Sequence, residues 1–267
     1  MNTLAPNWQV NSRVTAFSTT RLGGVSQPPF DALNLGLHVG DDAARVSENR
    51  RQLQIHSALP STPHWLNQTH SAYVQRIAAR ENLASNTDRD LTVSVQADST
   101  GYSIPSADGA WTNAPDTVLA VLTADCLPVV ISDTQGTAVA AVHAGWRGLA
   151  AGILDNALAL FDEQSNLHAW LGPAIGPDAF EVGEDVRQAF TERRLSHGNA
   201  FKQGLAPGKH WCDLYAIARA ELLQSRSITV TGGDYCTYRQ SQWFHSHRRD
   251  GVRSGRMATV VWVSPER

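Results

Sequence analysis

The chain has 267 residues, of which 42% are hydrophobic and 18% are charged, and its formal net charge is −3. This composition is typical of a globular protein and not of a disordered or fibrous one. The nearly balanced charge, without a block of Lys and Arg, excludes the usual electrostatic footprint of a nucleic-acid-binding protein. Because α/β proteins of this length are often one unit, we expect a single domain over residues 1–267.

The N-terminal segment lacks the basic start and the apolar run of a signal peptide, and no later stretch is apolar enough to span a bilayer. We therefore expect a cytoplasmic protein without a membrane partner. The three cysteines, Cys126, Cys212 and Cys236, are widely spaced, which favours reduced thiols over a disulfide framework. Cys236 is interpreted as a buried structural thiol, with a place near the functional site as the alternative. The sequence carries no signal of an oligomeric state.

The first part of the chain predicts a strand, a helix and a second strand. Residues 14–20 alternate as a strand does. The aspartates at 41–42 can cap a helix that runs toward Ile55, and another strand is expected over 72–77. Residues 81–107 are polar, turn-rich and weakly periodic. They predict a long excursion or an extra hairpin.

The centre of the chain predicts a buried sheet followed by a helix. Strands that are covered on both faces are typically short apolar or β-branched runs. Three such runs lie at residues 118–121, 129–132 and 137–142. From Leu149 to Phe161, apolar residues repeat at three and four positions, which predicts one amphipathic helix. The remaining predicted elements are strands at 169–171, 228–230 and 258–263 and a helix at 214–223.

These elements do not follow a strict βαβ repeat. The chain also has no Gly-rich dinucleotide fingerprint after a strand and no Walker pattern, so the sequence does not support a dinucleotide-binding or P-loop enzyme. We expect an α/β fold, a single domain with a mixed β-sheet flanked by helices.

Two polar segments interrupt the apolar strands: Thr-Ala-Asp-Cys-Leu-Pro at 123–128 and His-Ala-Gly-Trp-Arg-Gly at 143–148. They place Cys126 and His143 at the ends of neighbouring buried strands, where both side chains can contact one metal ion or one substrate atom. A catalytic zinc site commonly takes three protein ligands from His, Cys and carboxylate side chains and keeps a fourth position open. The pair supplies two ligands of this kind.

A third ligand has to come from elsewhere in the chain. His70, in a turn before a predicted strand, is the preferred candidate, and His38 is the second. Two other interpretations stay open: Cys126 fills the core beside a hydrogen-bonded His143, or Cys126 is a nucleophile with His143 as its base. Burying Asp125 beside the cysteine without a role is costly, which favours chemistry at this place. The spacing does not separate a metal site from a Cys–His dyad.

Further motifs extend over nearly the whole chain, and together they resemble one family. This is the multi-copper polyphenol oxidase or laccase-domain family, also known as the YfiH-like purine nucleoside phosphorylases. Besides the two segments above, the motifs are Thr-Arg-Leu-Gly-Gly-Val-Ser near the N-terminus, Leu-Gly-Pro-Ala-Ile-Gly-Pro with Glu-Val-Gly, Gly-Gly-Asp-Tyr-Cys-Thr-Tyr, Ser-His-Arg-Arg-Asp-Gly and Gly-Arg-Met-Ala.

The resemblance implies a YfiH-like catalytic domain, similar to cysteine-hydrolase-like α/β architecture, whose metal is held by His70, Cys126 and His143. It implies a zinc-dependent enzyme that phosphorolyses adenosine, inosine, guanosine and methylthioadenosine and also deaminates adenosine. The implied partners are therefore a purine nucleoside and phosphate. Copper is a second candidate metal, because divalent-metal affinity for such ligands does not exclude it. The polar segment before Asp108 departs from the shorter family pattern, which affects the expected pocket rim and not the ligands.

Phosphorolysis requires an anion site beside the nucleoside. Arg147 and the backbone amides of Gly148 and Leu149 stand at a predicted helix start, which is a natural place for a phosphate. Arg248 and Arg249 are predicted to complete the phosphate site, with an ordinary surface salt bridge as their alternative role. Arg50, on the first helix, is expected on a solvated face and outside the site.

Deamination requires a carboxylate that moves protons. The chain lacks the His-Xaa-Glu and Pro-Cys-Xaa-Xaa-Cys signature of zinc nucleobase deaminases, so any deaminase site uses another arrangement. Asp125, Asp108 and Glu181 are the candidate acids or bases. Asp108 is preferred for a role facing the pocket, and a turn-forming aspartate is its alternative. With Arg147, we predict Asp108 and Asp125 as catalytic residues.

Aromatic side chains offer stacking surfaces for a purine, although aromatic residues more commonly serve the core. The candidates are Trp146, Phe180 and Tyr235. Three other functions remain as alternatives: a copper-dependent polyphenol oxidase, a Cys–His hydrolase that edits a cell-wall precursor, and a metal-binding partner module with little turnover. The ten histidines are few and scattered for a multi-copper oxidase.

Overall fold

A computed structural model describes residues 1–78, 96–97 and 103–266 of the chain. Its strands are, in chain order, β1 (Thr3–Leu4), β2 (Val14–Thr19), β3 (Val74–Arg76), β4 (Gln96–Ala97), β5 (Ser103–Ile104), β6 (Gly109–Thr112), β7 (Leu119–Thr123), β8 (Leu127–Asp133), β9 (Val139–Ala144), β10 (Leu167–Leu171), β11 (Glu181–Gly183), β12 (Phe201–Gln203), β13 (Lys209–Cys212), β14 (Ile228–Gly232) and β15 (Met257–Val263). Its α-helices are α1 (Ala43–His56), α2 (Trp146–Ala150), α3 (Ile153–Leu158), α4 (Glu184–Arg193), α5 (Leu214–Ser225) and α6 (His247–Asp250). Short 3-10 helices cover Leu37–Val39 and Leu195–Ala200.

Two large sheets stack face to face between helices. The four-stranded sheet has the order β1-β2-β15-β7, and the six-stranded sheet has the order β14-β10-β8-β9-β6-β3. The larger sheet is mixed, because β10–β14 and β3–β6 are parallel pairs and the pairs between them are antiparallel. The predicted mixed α/β single domain is confirmed, with its apolar strands divided between two sheets.

The burial pattern of the central strands explains their unbroken apolar sequence. On β8, Val129 and Ile131 pack with the helices α2, α3 and α5, whereas Val130 faces the other sheet. On β7, Val121 packs between the sheets and Ala120 packs on the side of α1. Strand residues alternate between faces, and here both faces are covered, so every position is apolar.

Helix α1 begins as the sequence predicts. The Asp42 carboxylate accepts hydrogen bonds from the Ala44 and Arg45 amides at 2.8 and 3.2 Å, which satisfies donors that have no partner within the helix. Val46 and Leu53 are fully buried, and Leu53 packs with residues of the four-stranded sheet. No helix in the described residues is long and apolar enough to cross a membrane.

The predicted single helix from Leu149 to Phe161 is wrong in its extent. The structure has two shorter helices, α2 and α3, and α2 already begins at Trp146. The break lies at Gly152, whose φ of +90° is a left-handed conformation that interrupts the helix. A Cβ at Gly152 would lie 2.8 Å from Nη2 of Arg193, so this guanidinium occupies the side-chain space.

Most of the predicted excursion at 81–107 lies outside the described residues. Its described part includes β4 and β5, which pair antiparallel with Gln96 opposite Ile104 and Ala97 opposite Ser103. The strand predicted over 72–77 is shorter and covers Val74–Arg76.

Candidate metal centre and substrate pocket

Three side chains that could bind a metal meet at the sheet edge where β7 ends, β8 begins and β9 ends. Cys126 lies in the turn between β7 and β8, and His143 lies near the end of β9, where it pairs with Pro128. His70 reaches the same place from the loop before β3. Its Nε2 lies 3.8 Å from Sγ of Cys126, and the three ligand atoms all lie within 4.8 Å of one another.

The loop that carries His70 is held by a carboxylate behind it. Asp108 is fully buried, and it accepts hydrogen bonds from the backbone amides of Thr69, His70 and Ser71 at 3.1, 2.9 and 2.6 Å. Its Oδ1 also lies 2.8 Å from Nδ1 of His143. One carboxylate therefore orients two of the three candidate ligands. With its Nδ1 engaged, His143 presents Nε2 to a metal, as histidine ligands with an outer carboxylate do.

The turn that carries Cys126 is held by a second aspartate. Asp125 adopts a φ of +87°, in the left-handed region that side chains seldom occupy. Its two carboxylate oxygens accept hydrogen bonds from the Thr237 hydroxyl and the Arg248 amide, both at 2.6 Å. These bonds tie the turn to the start of α6 and explain how Asp125 is satisfied at only 8% exposure.

Gly145 leaves the space that a metal ion needs. A Cβ at this position would lie 2.8 Å from Cδ2 of His70, 3.2 Å from Sγ of Cys126 and 3.5 Å from Cε1 of His143. In a tetrahedral zinc site, bonds of about 2.0–2.3 Å place neighbouring ligand atoms roughly 3.3–3.7 Å apart. The 3.8 Å separation of His70 and Cys126 is close to that spacing. The residues present therefore fit a zinc ion.

The electrostatics favour the ligating form of Cys126 but not that of His143. Burial opposes the charge on His143, but the Cys126 thiolate and the Asp108 carboxylate outweigh it and raise the pKa of the imidazole to about 9, so metal binding must displace a proton from His143. Burial opposes ionisation of Cys126, but the charge and hydrogen bonds of His143 and His70 outweigh it and lower the pKa of the thiol to about 6. Burial also opposes the charge on Asp108, yet hydrogen bonds from His143 and Ser71 lower its pKa to about 2. Because the thiolate is the form that binds metal, Cys126 is ready to ligate at neutral pH.

A pocket of about 420 Å³ opens over this site. One part of its lining is aromatic and apolar and includes Trp146, Ile175, Phe180 and Leu214. Polar side chains, among them His38, Gln68 and Arg256, form another part. The volume is in the range typical of small-molecule sites, and the mixture of an apolar wall with a few polar groups is characteristic of them.

The structure brings most of the predicted site residues to this pocket. Asp125, Arg147 and Arg248 line it together with the three candidate ligands. Arg147 lies over the Trp146 ring at 4.4 Å, and Arg248 lies over the Phe180 ring at 5.3 Å. Both arginines are exposed, so they form the mouth of the pocket.

Three predicted site residues lie behind the pocket wall. Asp108 does not line the pocket, and its hydrogen bonds give it a positioning role. Arg249 binds the Asp250 carboxylate and the carbonyls of Thr237, Tyr238 and Phe244, and so does not reach the site. Gly148 is buried, and a Cβ there would lie 2.6 Å from the Ser71 carbonyl oxygen.

Three other residues were considered as candidates for the site: Leu149 for phosphate, Glu181 as an acid or base and Tyr235 for stacking on the purine. The Leu149 amide donates to the Gly145 carbonyl at 2.9 Å, so it is not free for a phosphate. Glu181 accepts from the Leu205 amide and does not line the pocket. Tyr235 packs against Phe244, with ring centroids 5.7 Å apart, as the core interpretation of this residue predicts.

Arg50 was expected on a solvated face, and this expectation is wrong. Its guanidinium donates to the Leu35 carbonyl from Nε and Nη2 at 3.0 and 2.9 Å and lies 4.0 Å from the centre of the Trp65 ring. Burial lowers the pKa of Arg50 to about 10. The polar sequence of α1 gave no sign of this contact, because the segment around Leu35 is distant in sequence.

The sequence reasoning also missed pocket residues. Gln68 binds both backbone groups of Leu122, with its Nε2 2.8 Å from the carbonyl oxygen and its Oε1 2.7 Å from the amide nitrogen. His247 and Arg256 line the pocket as well. Arg256 is in the Gly-Arg-Met-Ala motif and His247 is in the Ser-His-Arg-Arg-Asp-Gly motif, but neither motif indicates which of its residues faces the site. Gln68 lies two residues before His70 and outside the motifs, so its nearness to that histidine was its only signal.

Comparisons with known proteins identify the family of the chain. Residues 15–264 match the family model described as multi-copper polyphenol oxidoreductase laccase. The chain belongs to this family. Among the relatives of this laccase-domain protein, the purine nucleoside phosphorylase YfiH of Escherichia coli K12 is 43% identical over 97% of the chain and 98% of its own length. A purine nucleoside phosphorylase of Pseudomonas aeruginosa is 42% identical with the same two coverages.

Solved structures show the same fold. A Neisseria meningitidis protein superposes with a TM-score of 0.84 at 40% identity, and the alignment covers 99% of this chain and 100% of the other. YlmD of Geobacillus stearothermophilus superposes with a TM-score of 0.83 at 28% identity, covering 99% of this chain and 97% of the other. The predicted family is therefore confirmed, and relatives named as purine nucleoside phosphorylases support an enzyme role for this chain.

Proposed function

We propose that this laccase-domain protein is a zinc-dependent purine nucleoside phosphorylase that accepts adenosine, inosine, guanosine and methylthioadenosine. The observation that carries the proposal is a group of three candidate ligands, His70, Cys126 and His143, in the lining of a pocket whose mouth is cationic. The names of its relatives in Escherichia coli and Pseudomonas aeruginosa support the same reaction.

The reaction transfers the ribosyl group from the base to phosphate. A phosphate oxygen forms a bond to C1′ as the C1′–N9 bond breaks, and the proton of hydrogen phosphate ends on the released base. Arg147 and Arg248 attract the anion at the mouth, and the aromatic wall of Trp146 and Phe180 offers flat surfaces for the purine. His70, Cys126 and His143 would hold the zinc ion, which supplies Lewis-acid polarisation of a coordinated group.

Adenosine deamination is proposed as a second activity of the same pocket. Asp125 is the carboxylate that lines the pocket, so it is the proposed acid or base for moving protons. Asp108 instead orients His70 and His143 from behind. The activity is tested by incubating adenosine without phosphate and measuring inosine and ammonia, which an Asp125→Asn variant is expected to produce at least about tenfold more slowly.

The phosphorylase proposal is tested by incubating the zinc-loaded protein with inosine, with and without phosphate, and measuring free hypoxanthine. Base release is expected to require phosphate and to disappear in Cys126→Ala and His143→Ala. Cys236→Ala and His56→Ala are matched controls, because neither residue lines the pocket. Base release without phosphate, or full activity of Cys126→Ala, would refute the proposal.

A Cys–His hydrolase is the second candidate because one observation favours it. Asp108, His143 and Cys126 form a connected series in which a buried carboxylate orients an imidazole beside a thiol of lowered pKa. This candidate predicts that a chelator leaves activity intact and that alkylation of Cys126 abolishes it. The phosphorylase predicts loss of activity with the chelator and recovery when zinc is restored.

The copper oxidase alternative has less support from the side chains. Of the ten histidines in the chain, only His70 and His143 belong to a group of three or more ligating side chains among the described residues. A multi-copper centre needs many more ligands than this group supplies. Binding of a single copper ion would therefore not indicate an oxidase.

A further inference from the structure

One arginine of the pocket differs from the two at its mouth. Arg256 is half-buried, whereas Arg147 and Arg248 are exposed. Among the described residues, no carboxylate lies within ion-pair distance of Arg256, and its Nη1 donates to the carbonyls of Ser254 and Gly255 at 2.7 and 3.1 Å. The guanidinium therefore lines the pocket with donors that these two carbonyls do not use.

The backbone and the stem of Arg256 are fixed by the segment that precedes His38. The Arg256 amide donates to Oδ1 of Asn34 at 2.9 Å, and its carbonyl accepts from the Leu35 amide at 3.0 Å. A Cβ at Gly36 would lie 2.8 Å from Cγ of Arg256 and 3.5 Å from Cε1 of His38. The absence of a side chain at Gly36 thus lets Arg256 and His38 lie side by side.

The charges near these two residues are of both signs. Arg50 braces the same segment through the Leu35 carbonyl, and it forms no ion pair with any described carboxylate. Burial and the charges of Arg256 and Arg50 lower the pKa of His38. Burial also lowers the pKa of Arg256, against the charges of Cys126 and Asp125, which raise it. A half-buried cation with no described carboxylate at ion-pair distance is unfavourable, and an anionic ligand that binds it directly relieves that cost.

We propose that Arg256, with His38 beside it, binds the phosphate co-substrate inside the pocket, whereas Arg147 and Arg248 only attract it at the mouth. The proposal deepens the proposed phosphorylase function and rests on it. A guanidinium binds phosphate through two parallel hydrogen bonds, and the half-buried Arg256 loses less of this interaction to water than an exposed arginine does. The purine then lies against the aromatic wall.

The test compares Arg256→Gln with Arg253→Gln in the zinc-loaded protein. Arg253 is an exposed arginine of the same segment, over the Phe30 ring at 5.6 Å and away from the pocket, so its variant is the matched control. Calorimetric titration with inorganic phosphate alone measures binding, and initial rates give separate KM values for phosphate and inosine. Metal analysis and circular dichroism verify that each variant keeps its zinc and its fold.

Arg256→Gln is expected to raise both the Kd and the KM of phosphate about 10- to 100-fold, as the loss of a charge-assisted hydrogen-bond pair does. The KM of inosine should change less than about twofold on the same reasoning, and Arg256→Lys should recover part of the phosphate affinity because it restores charge without the planar fork. If Arg256→Gln does not fold, Arg256→Lys carries the test, with a smaller rise in the phosphate KM expected.

Three results would overturn the proposal: unchanged phosphate affinity in Arg256→Gln, a larger loss in Arg248→Gln than in Arg256→Gln, or a rise in the inosine KM alone. The titration with phosphate separates this proposal from the reaction itself. If the wild-type protein binds phosphate more tightly than Arg256→Gln but releases no base, the phosphorylase function is disproved and the phosphate site at Arg256 is still supported.

Discussion

Replacing Gly145 by alanine should fill the space for the metal without disturbing the backbone. The residue has a φ of −64° and a ψ of 156°, an extended conformation that alanine adopts freely. The added Cβ would lie 2.8 Å from Cδ2 of His70, whereas nonbonded carbon atoms prefer about 3.5–4.0 Å. The imidazole must therefore retreat by about 0.7–1.2 Å, well beyond the ~0.2 Å range of metal–ligand bond lengths.

A displacement of this size removes one of three protein ligands. We expect Gly145→Ala to weaken zinc binding at least ~100-fold, equivalent to about 2.8 kcal/mol. Competition against a chromophoric chelator measures the affinity, and thermal unfolding of the metal-free protein verifies the fold. Gly198→Ala is the matched control, because its Cβ would meet only Cγ2 of Thr191 at 3.7 Å. Zinc affinity of Gly145→Ala within about twofold of wild type would refute the placement of the metal between these residues.

Three further variants or treatments test other parts of the structure. Asp108→Asn puts an amide NH2 group where backbone amides and His143 need acceptors. Zinc affinity, measured by chelator competition, should therefore fall about 10- to 100-fold. An unchanged zinc affinity would show that Asp108 does not orient the ligands. In metal-free protein, iodoacetamide labelling of Cys126 should increase as the pH rises through about 6, because the thiolate of Cys126 forms there. Cys212 should stay unlabelled, because it is buried and its pKa is raised. Equal labelling of both cysteines at pH 7, measured by peptide mass mapping, would contradict this prediction. Phe190→Ala should lower the free energy of urea unfolding by about 3–5 kcal/mol, since this ring is fully buried in the helix-side core, and a loss below about 1 kcal/mol would contradict that placement.

The strands could be predicted well because their two faces are both covered. Residues such as Val129 and Val130 face opposite layers and are both apolar, so the sequence reads as a continuous apolar run. The break in the helix predicted after Leu149 could not be predicted from the spacing of the apolar residues. It depends on the left-handed conformation of Gly152 and on the Arg193 side chain that fills the space beside it.

That Cys126, His143 and His70 come together could be predicted from the sequence. Cys126 precedes β8 and His143 lies near the end of β9, which pairs with β8, and His70 comes from a turn before a predicted strand. The role of the charged residues around them was harder to predict. Arg249 and Arg256 both lie in motifs, but only the folded chain shows that carbonyl groups surround the first and that the second lines the pocket. Asp108 precedes β6 and accepts the amides of a loop almost forty residues earlier, a contact with no local sequence pattern.

Phosphorus NMR of inosine and inorganic phosphate in the presence of zinc-loaded protein tests the phosphorylase reaction itself. Phosphorolysis predicts a ribose 1-phosphate resonance that grows in equal molar amount with free hypoxanthine, and no free ribose. A zinc-dependent reaction also predicts that both products vanish when zinc is removed and return when zinc is restored. Hypoxanthine accompanied by free ribose, or released at the same rate without zinc, would contradict the proposed function.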